Sequence, residues 1–103
     1  MKHTVTHSLG KETARKVARR AFEAYEKRFS EFSPRTSWRG EDQADISFSA
    51  KGLTLKGAVA VTDSSIDLEM DVPFLLRPFQ NKAISVIERE IREWIGRAEN
   101  GEV

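Results

Sequence analysis

Hydrophobic and polar positions along the chain follow two different periods, and each change of period marks a new kind of secondary structure. Apolar residues recur every three or four positions over 14–29 and again over 84–98, the spacing of helices with one buried face. Between them, over 44–72, apolar and polar residues alternate strictly, apart from short turns at Lys51–Gly52 and 63–65. Such alternation predicts an antiparallel meander with one buried and one solvated face.

The segments next to the first helix are short, so their secondary structure is predicted from single residues. Val5, flanked by threonines and histidines, predicts a weak edge strand over 2–7. Ser8 is a good N-cap for the helix, which Pro34 ends after about residue 29 or 31. Trp38 and the polar residues after it are expected to start the second strand and a loop.

The predicted order is therefore β-α-β-β-β-α, an α+β fold. It is a two-layer sandwich in which both helices pack on the apolar face of one antiparallel sheet. A chain of 103 residues suffices for one hydrophobic core, so we expect a single domain over 1–98 and a frayed polar tail over 99–103. Which edge of the sheet the first strand joins stays open.

The core is expected to be shared by the sheet and both helices. A register shifted by one residue would instead turn Lys56, Asp67 and Glu69 inward. The residues expected to be mostly buried are Ile46, Phe48, Leu55, Val59, Leu68, Met70, Ile87, Ile91 and Trp94.

Composition excludes several classes of function. Charged residues make up 32% and hydrophobic residues 39%, as in globular proteins, and a net charge of +1 gives no reason to expect a nucleic-acid partner. The lack of cysteine excludes a disulfide scaffold, a thiolate nucleophile and a thiolate metal site. The start of the chain has no apolar signal segment and no stretch reaches membrane-spanning length, so we expect a cytoplasmic location.

Residues capable of catalysis or metal binding are few and poorly arranged. His3 and His7 are expected to be exposed on the edge strand, and two imidazoles without a third ligand do not form a closed metal site. Asp67, Glu69 and Asp71 diverge along a straight strand and fit a solvated face that resists aggregation. The sequence has no hydrolase, zinc-protease or phosphate-loop motif. We therefore expect no enzyme, no metal and no cofactor.

The first helix carries a basic ridge formed by Lys11, Arg15 and Arg19, which follow one another at four-residue spacing. One interpretation is a solvated helix face. The other is attraction to an anionic surface such as phospholipid headgroups.

The densest apolar stretch, "DVPFLLRPFQ" at 71–80, contains Pro73 and Pro78, which disfavour a regular strand or helix across it. Its apolar residues either fill the end of the core or face outward and dock on an apolar surface, with Arg77 at the polar boundary. One or two exposed side chains are expected in either case. The docking hypothesis takes Leu75 or Leu76 as exposed, and Phe74 and Phe79 as buried.

Several stretches resemble a known family. "HSLG" before an alanine-spaced helix, the three-strand meander and "VPFLLRPFQNKAISVIEREI" are similar to the putative polyhydroxyalkanoic acid system proteins, over His7 to about Ile95. Genes of this family are found near those for polyhydroxyalkanoate storage granules. Asn81 stands where the family typically has glycine, a mild departure that leaves the helix start intact. The resemblance implies a bacterial, granule-related setting and no catalytic residues.

With that setting, we expect a small non-enzymatic protein acting at or near the granule surface, in contact with the granule or a granule protein. The alternative is a binding protein that holds an acyl or hydroxyacyl chain between the sheet and the last helix. Its layout is similar, in architecture alone, to a trimmed Bet v 1-like lipid-binding fold. A further alternative is a homodimer that covers Ala58 and Ala60 on the outer sheet face.

Overall fold

The computed structural model describes residues 1–50 and 52–102. Lys51 of the predicted Lys51–Gly52 turn and Val103 of the predicted tail lie outside the described residues. Within the described residues the elements are β1 (Lys2–Thr6), α1 (Lys11–Arg28), β2 (Arg35–Arg39), β3 (Gln43–Ala50), β4 (Leu53–Val61), β5 (Ser65–Asp71) and α2 (Gln80–Glu99). A 3₁₀ turn at Ser30–Phe32 follows α1, and a 3₁₀ helix at Phe74–Phe79 leads into α2.

The strands form one antiparallel sheet in the order β1-β5-β4-β3-β2, with β1 at one edge and β2 at the other. The predicted α+β class is confirmed, but the sheet has one strand more than expected. Arg35–Arg39 forms its own edge strand instead of the start of the next one. The chain reverses at Gly40, whose φ of +73° suits glycine, so that Arg39 pairs with Gln43.

The start of α1 differs from the prediction. Gly10, not Ser8, is the N-cap, and its carbonyl accepts the hydrogen bond from the Ala14 amide at 3.0 Å. Gly10 has φ 80° and ψ 163°, a conformation that residues with a side chain rarely adopt. The direction that the chain takes from β1 into α1 therefore requires glycine at position 10, and Ser8 is left two residues too early to cap.

The core lies between the sheet and the two helices, as expected. Of the nine residues predicted to be buried, Trp94 alone is only partly buried and packs against the core from its edge. The register is confirmed too, because Lys56 and Glu69 are exposed on the outer face of the sheet. The interior between the sheet and the helices is one cluster of buried residues, which includes the isoleucines of α2 and bulky side chains of β4 and β5: Ile84, Ile87, Ile91, Ile95, Val59, Ile66 and Leu68.

Candidate functional site in an apolar cleft and its rim

An apolar cleft opens where the helix ends meet the end of the sheet. The last turn of α1, the 3₁₀ turn, strands β3 and β4, the 3₁₀ helix and the first turns of α2 enclose a volume of about 410 Å³. Leu55 and Leu76 lie at its base among the buried core residues. The aromatic side chains that line it are Tyr25, Phe29, Phe32, Phe48 and Phe79.

The 3₁₀ helix divides its apolar residues between the core and the solvent. Because a 3₁₀ helix repeats every three residues, Leu76 and Phe79 lie on the side of the cleft. Phe74 and Leu75 lie on other sides and are 77% and 72% exposed. The expectation that Leu75 or Leu76 would be exposed is therefore confirmed for Leu75, while Leu76 is 3% exposed and belongs to the core.

Two burial predictions for this segment are wrong. Phe74 points to solvent instead of the core, and Phe79 is 46% exposed. The cause is the 3₁₀ conformation, which gives the segment only one inward side, and Leu76 occupies the deepest position on it. Arg77 lies on the outer side as well, with its guanidinium carbon 5.6 Å from the centre of the Phe74 ring.

Exposed apolar surface is concentrated around the cleft. Five large hydrophobic side chains are exposed in the described part of the chain, and four of them lie at the cleft or on the adjoining 3₁₀ helix. Phe32 and Phe79 stand at the cleft, and Phe74 and Leu75 extend the surface beyond it. We call these four residues the apolar end. Large exposed apolar patches on small proteins are commonly interaction sites.

A family model described as putative polyhydroxyalkanoic acid system protein matches residues 2–95, from β1 to near the end of α2. The chain belongs to this family. The match includes the 3₁₀ helix and the whole cleft lining, and it confirms the resemblance seen in the sequence. No curated protein and no solved structure matches the chain. The role of this family member is accordingly related to polyhydroxyalkanoate.

The basic ridge of this family member faces the turn between β2 and β3. Lys11 Nζ lies 2.9 Å from an Asp42 carboxylate oxygen, and Arg15 contacts Asp42 through Nε and Glu41 through Nη1 at 3.2 Å. Hydrogen bonds from Arg15 and then Lys11 lower the pKa of Asp42 to about 2. The two cations thus join α1 to the turn, an intramolecular role that the ridge spacing alone did not indicate.

Arg19, the third residue of the ridge, has a different partner on the same hairpin. Its guanidinium carbon lies 4.4 Å from the centre of the Trp38 ring, and Nη2 donates to the Gly40 carbonyl at 3.3 Å. Cation–π contacts of this kind contribute about 0.5–1 kcal/mol when exposed. All three ridge residues therefore contact the β2–β3 hairpin.

The two histidines are half-buried, not exposed as expected. The Nε2 atom of His3 contacts the Glu88 carboxylate and so connects β1 to α2. The Nδ1 atom of His7 accepts a hydrogen bond from the Leu9 amide at 3.2 Å. Within residues 1–50 and 52–102, no three side chains of the His, Cys, Asp or Glu type come together as a metal site would require.

Sequence reasoning missed a buried carboxylate. Glu90 is 3% exposed, and its Oε2 accepts a hydrogen bond from Arg28 Nη1 at 3.0 Å, across the interface of the two helices. The sequence did contain a sign of this burial, because Glu90 follows Ile87 by three positions and lies beside Ile91 on the apolar stripe.

In the described part of the chain, no helix has the length and hydrophobicity needed to cross a membrane.

Proposed function

We propose that this protein is a non-enzymatic component of the polyhydroxyalkanoate system, located in the cytoplasm, that docks on the granule surface through its apolar end. The observation that carries the proposal is the exposure of Phe74 and Leu75, at 77% and 72%, on a short helix that follows Pro73 and contains Pro78. Membership of the polyhydroxyalkanoic acid system family supports the choice of a polyester storage granule as the apolar partner.

Transfer of the two side chains from water to an apolar surface is favourable. Fully burying a Leu or Phe side chain stabilises by roughly 1.5–3 kcal/mol, so Phe74 and Leu75 together supply enough for reversible association. Arg77 stacks near the Phe74 ring, and its charged group can stay in water at the boundary while its stem lies on the apolar side.

Two other candidate functions receive less support. A chain held between the sheet and the middle of α2 would need space that Ile87, Ile91 and Leu68 fill, and the apolar space that stays open lies at the first turns of α2. An acidic-lipid role for the basic ridge has to compete with Asp42 and Glu41, which contact Lys11 and Arg15. Attraction to acidic lipids and a homodimer through the outer sheet face both stay predictions.

Cosedimentation with polyhydroxyalkanoate particles tests the proposal. The double variant Phe74→Ser/Leu75→Ser should lose most particle binding, because it removes the two most exposed apolar side chains. A matched control is Lys16→Ser/Arg20→Ser, which changes two exposed residues of α1 that have no ion-pair partner among the described residues. Equal binding by the wild type and the first variant would contradict the proposal.

A further inference from the structure

The cleft is lined by two polar side chains whose polar groups have no partner among the described residues. Tyr25 is 8% exposed and lines the cleft, and its hydroxyl forms no hydrogen bond with any described residue. Lys82 is exposed at the cleft, and across residues 1–50 and 52–102 its ammonium group has no ion-pair partner. The other side chains that line the cleft are hydrocarbon, chiefly phenylalanine, leucine and valine.

Each of these polar groups has a defined chemistry. The Tyr25 hydroxyl is not among the buried polar atoms without a partner in the described residues, so it is accessible from outside, and water or a ligand oxygen can accept its hydrogen bond. Burial raises the pKa of Tyr25, which keeps the phenol neutral and able to donate. The aliphatic stem of Lys82 can follow the apolar wall while the ammonium group stays at the mouth.

We propose that the cleft binds a medium-chain aliphatic carboxylate, with its chain between the aromatic walls and its carboxylate beside Lys82. Lys82 is the one cation among the described residues that line this apolar space, which makes the space complementary to an amphiphile with one negative charge. The volume of about 410 Å³ lies within the usual range for small-molecule sites, roughly 300–1,000 Å³. The phenol of Tyr25 can donate a hydrogen bond to a ligand oxygen, and a plain hydrocarbon offers no such acceptor.

This site shares Phe32 and Phe79 with the apolar end, but the residues that carry the two proposals differ. Phe74 and Leu75 carry the docking proposal and do not line the cleft. Lys82 and Ala83 line the cleft and are not part of the apolar end. Either proposal can therefore fail without the other.

Calorimetric titration of the full chain with sodium octanoate, below its micelle-forming concentration, tests the inference. We expect saturable binding of one octanoate per chain and clearly weaker binding of the uncharged 1-octanol. Amide chemical shifts in the wild type should change around Ala83 and Val86 during the octanoate titration, which locates the site without any substitution.

Substitutions then test separately the site of the ligand's aliphatic chain and the site of its carboxylate. Ala83→Trp should fill the cleft and abolish octanoate binding, because Ala83 lines the cleft on α2. Lys82→Glu should weaken octanoate binding roughly fivefold or more, the size expected for an exposed ion pair that is replaced by repulsion. The matched control, Lys16→Glu on α1, makes the same charge change away from the cleft and should bind octanoate as the wild type does.

Three results would overturn the inference. The first is a wild type that shows no saturable octanoate binding, and the second is a set of amide chemical-shift changes that lies outside the cleft. The third is an equal effect of Lys82→Glu and Lys16→Glu on octanoate affinity. The Phe74→Ser/Leu75→Ser variant should bind octanoate normally while it fails on particles. That pair of results would show that the cleft and the docking surface act separately.

Discussion

Leu75 and Leu76 are adjacent and chemically identical, yet one is 72% exposed and the other 3%. Composition and local hydrophobicity could predict a dense apolar segment, but not which side chain it would bury. That choice depends on the 3₁₀ conformation of Phe74–Phe79 and on where the end of the core lies. For the same reason Phe74 and Phe79 were predicted buried and are not.

The two leucines should respond in opposite ways to substitution. Leu76→Ala should lower the free energy of unfolding by about 2–5 kcal/mol, since it leaves a cavity in the core. Leu75→Ser should change it by no more than about 0.5 kcal/mol, as is usual for surface substitutions. Urea denaturation measures both. Similar losses for the two variants would mean that the whole segment packs as one unit.

Gly57 allows β5 to approach β4 closely. A Cβ atom at this position would lie 2.5 Å from the Glu69 carbonyl oxygen and 3.3 Å from side-chain atoms of Ile46 and Met70. Gly57→Ala should therefore destabilise the fold by about 1–3 kcal/mol, in the range of overpacked cores.

A matched control for Gly57→Ala lies on α2. At Gly96 a Cβ atom would meet nothing within 4 Å, and Gly96→Ala should stabilise the helix by roughly 0.5–1 kcal/mol. Thermal denaturation should show a lower melting temperature for Gly57→Ala and a higher one for Gly96→Ala. A Gly57→Ala variant with an unchanged melting temperature would contradict the close approach of the two strands.

At the scale of elements, most of the fold follows from periodicity. Period-2 alternation predicted β3, β4 and β5 with their register, and the three- and four-residue spacing predicted both helices. β2 was missed because its five residues, directly after Pro34, are too few to show alternation on their own. The contact of Arg15 with Asp42 joins residues 27 positions apart, so no local pattern could indicate it. The cleft could not be predicted either, because it exists only where helix ends and strand ends meet.

The junction between α1 and the β2–β3 turn should make stability depend on pH. Because the pKa of Asp42 is about 2 in the fold and near 3.8 otherwise, its contribution is complete above about pH 4 and disappears as pH falls through 2. The melting temperature should drop across this window, and Asp42→Asn should flatten the drop. A variant with an unchanged pH profile would show that the ion pairs do not hold this junction.

At the scale of the whole molecule, a filled core and an apolar end coexist in one small domain. The interior of the sheet and helices is closed by bulky aliphatic residues, while exposed hydrophobic side chains gather at the 3₁₀ helix and the cleft. For this member of the polyhydroxyalkanoic acid system family, we propose an apolar storage surface as the partner of the apolar end.

Copurification with granules isolated from cells tests this account most directly. Tagged wild type, Phe74→Ser/Leu75→Ser and Lys16→Ser/Arg20→Ser proteins would be expressed at equal levels in granule-forming cells. We expect the wild type and the Lys16/Arg20 variant in the washed granule fraction, and the Phe74/Leu75 variant in the supernatant with an unchanged melting temperature. A Phe74/Leu75 variant that stays on the granules as the wild type does would contradict docking through the apolar end.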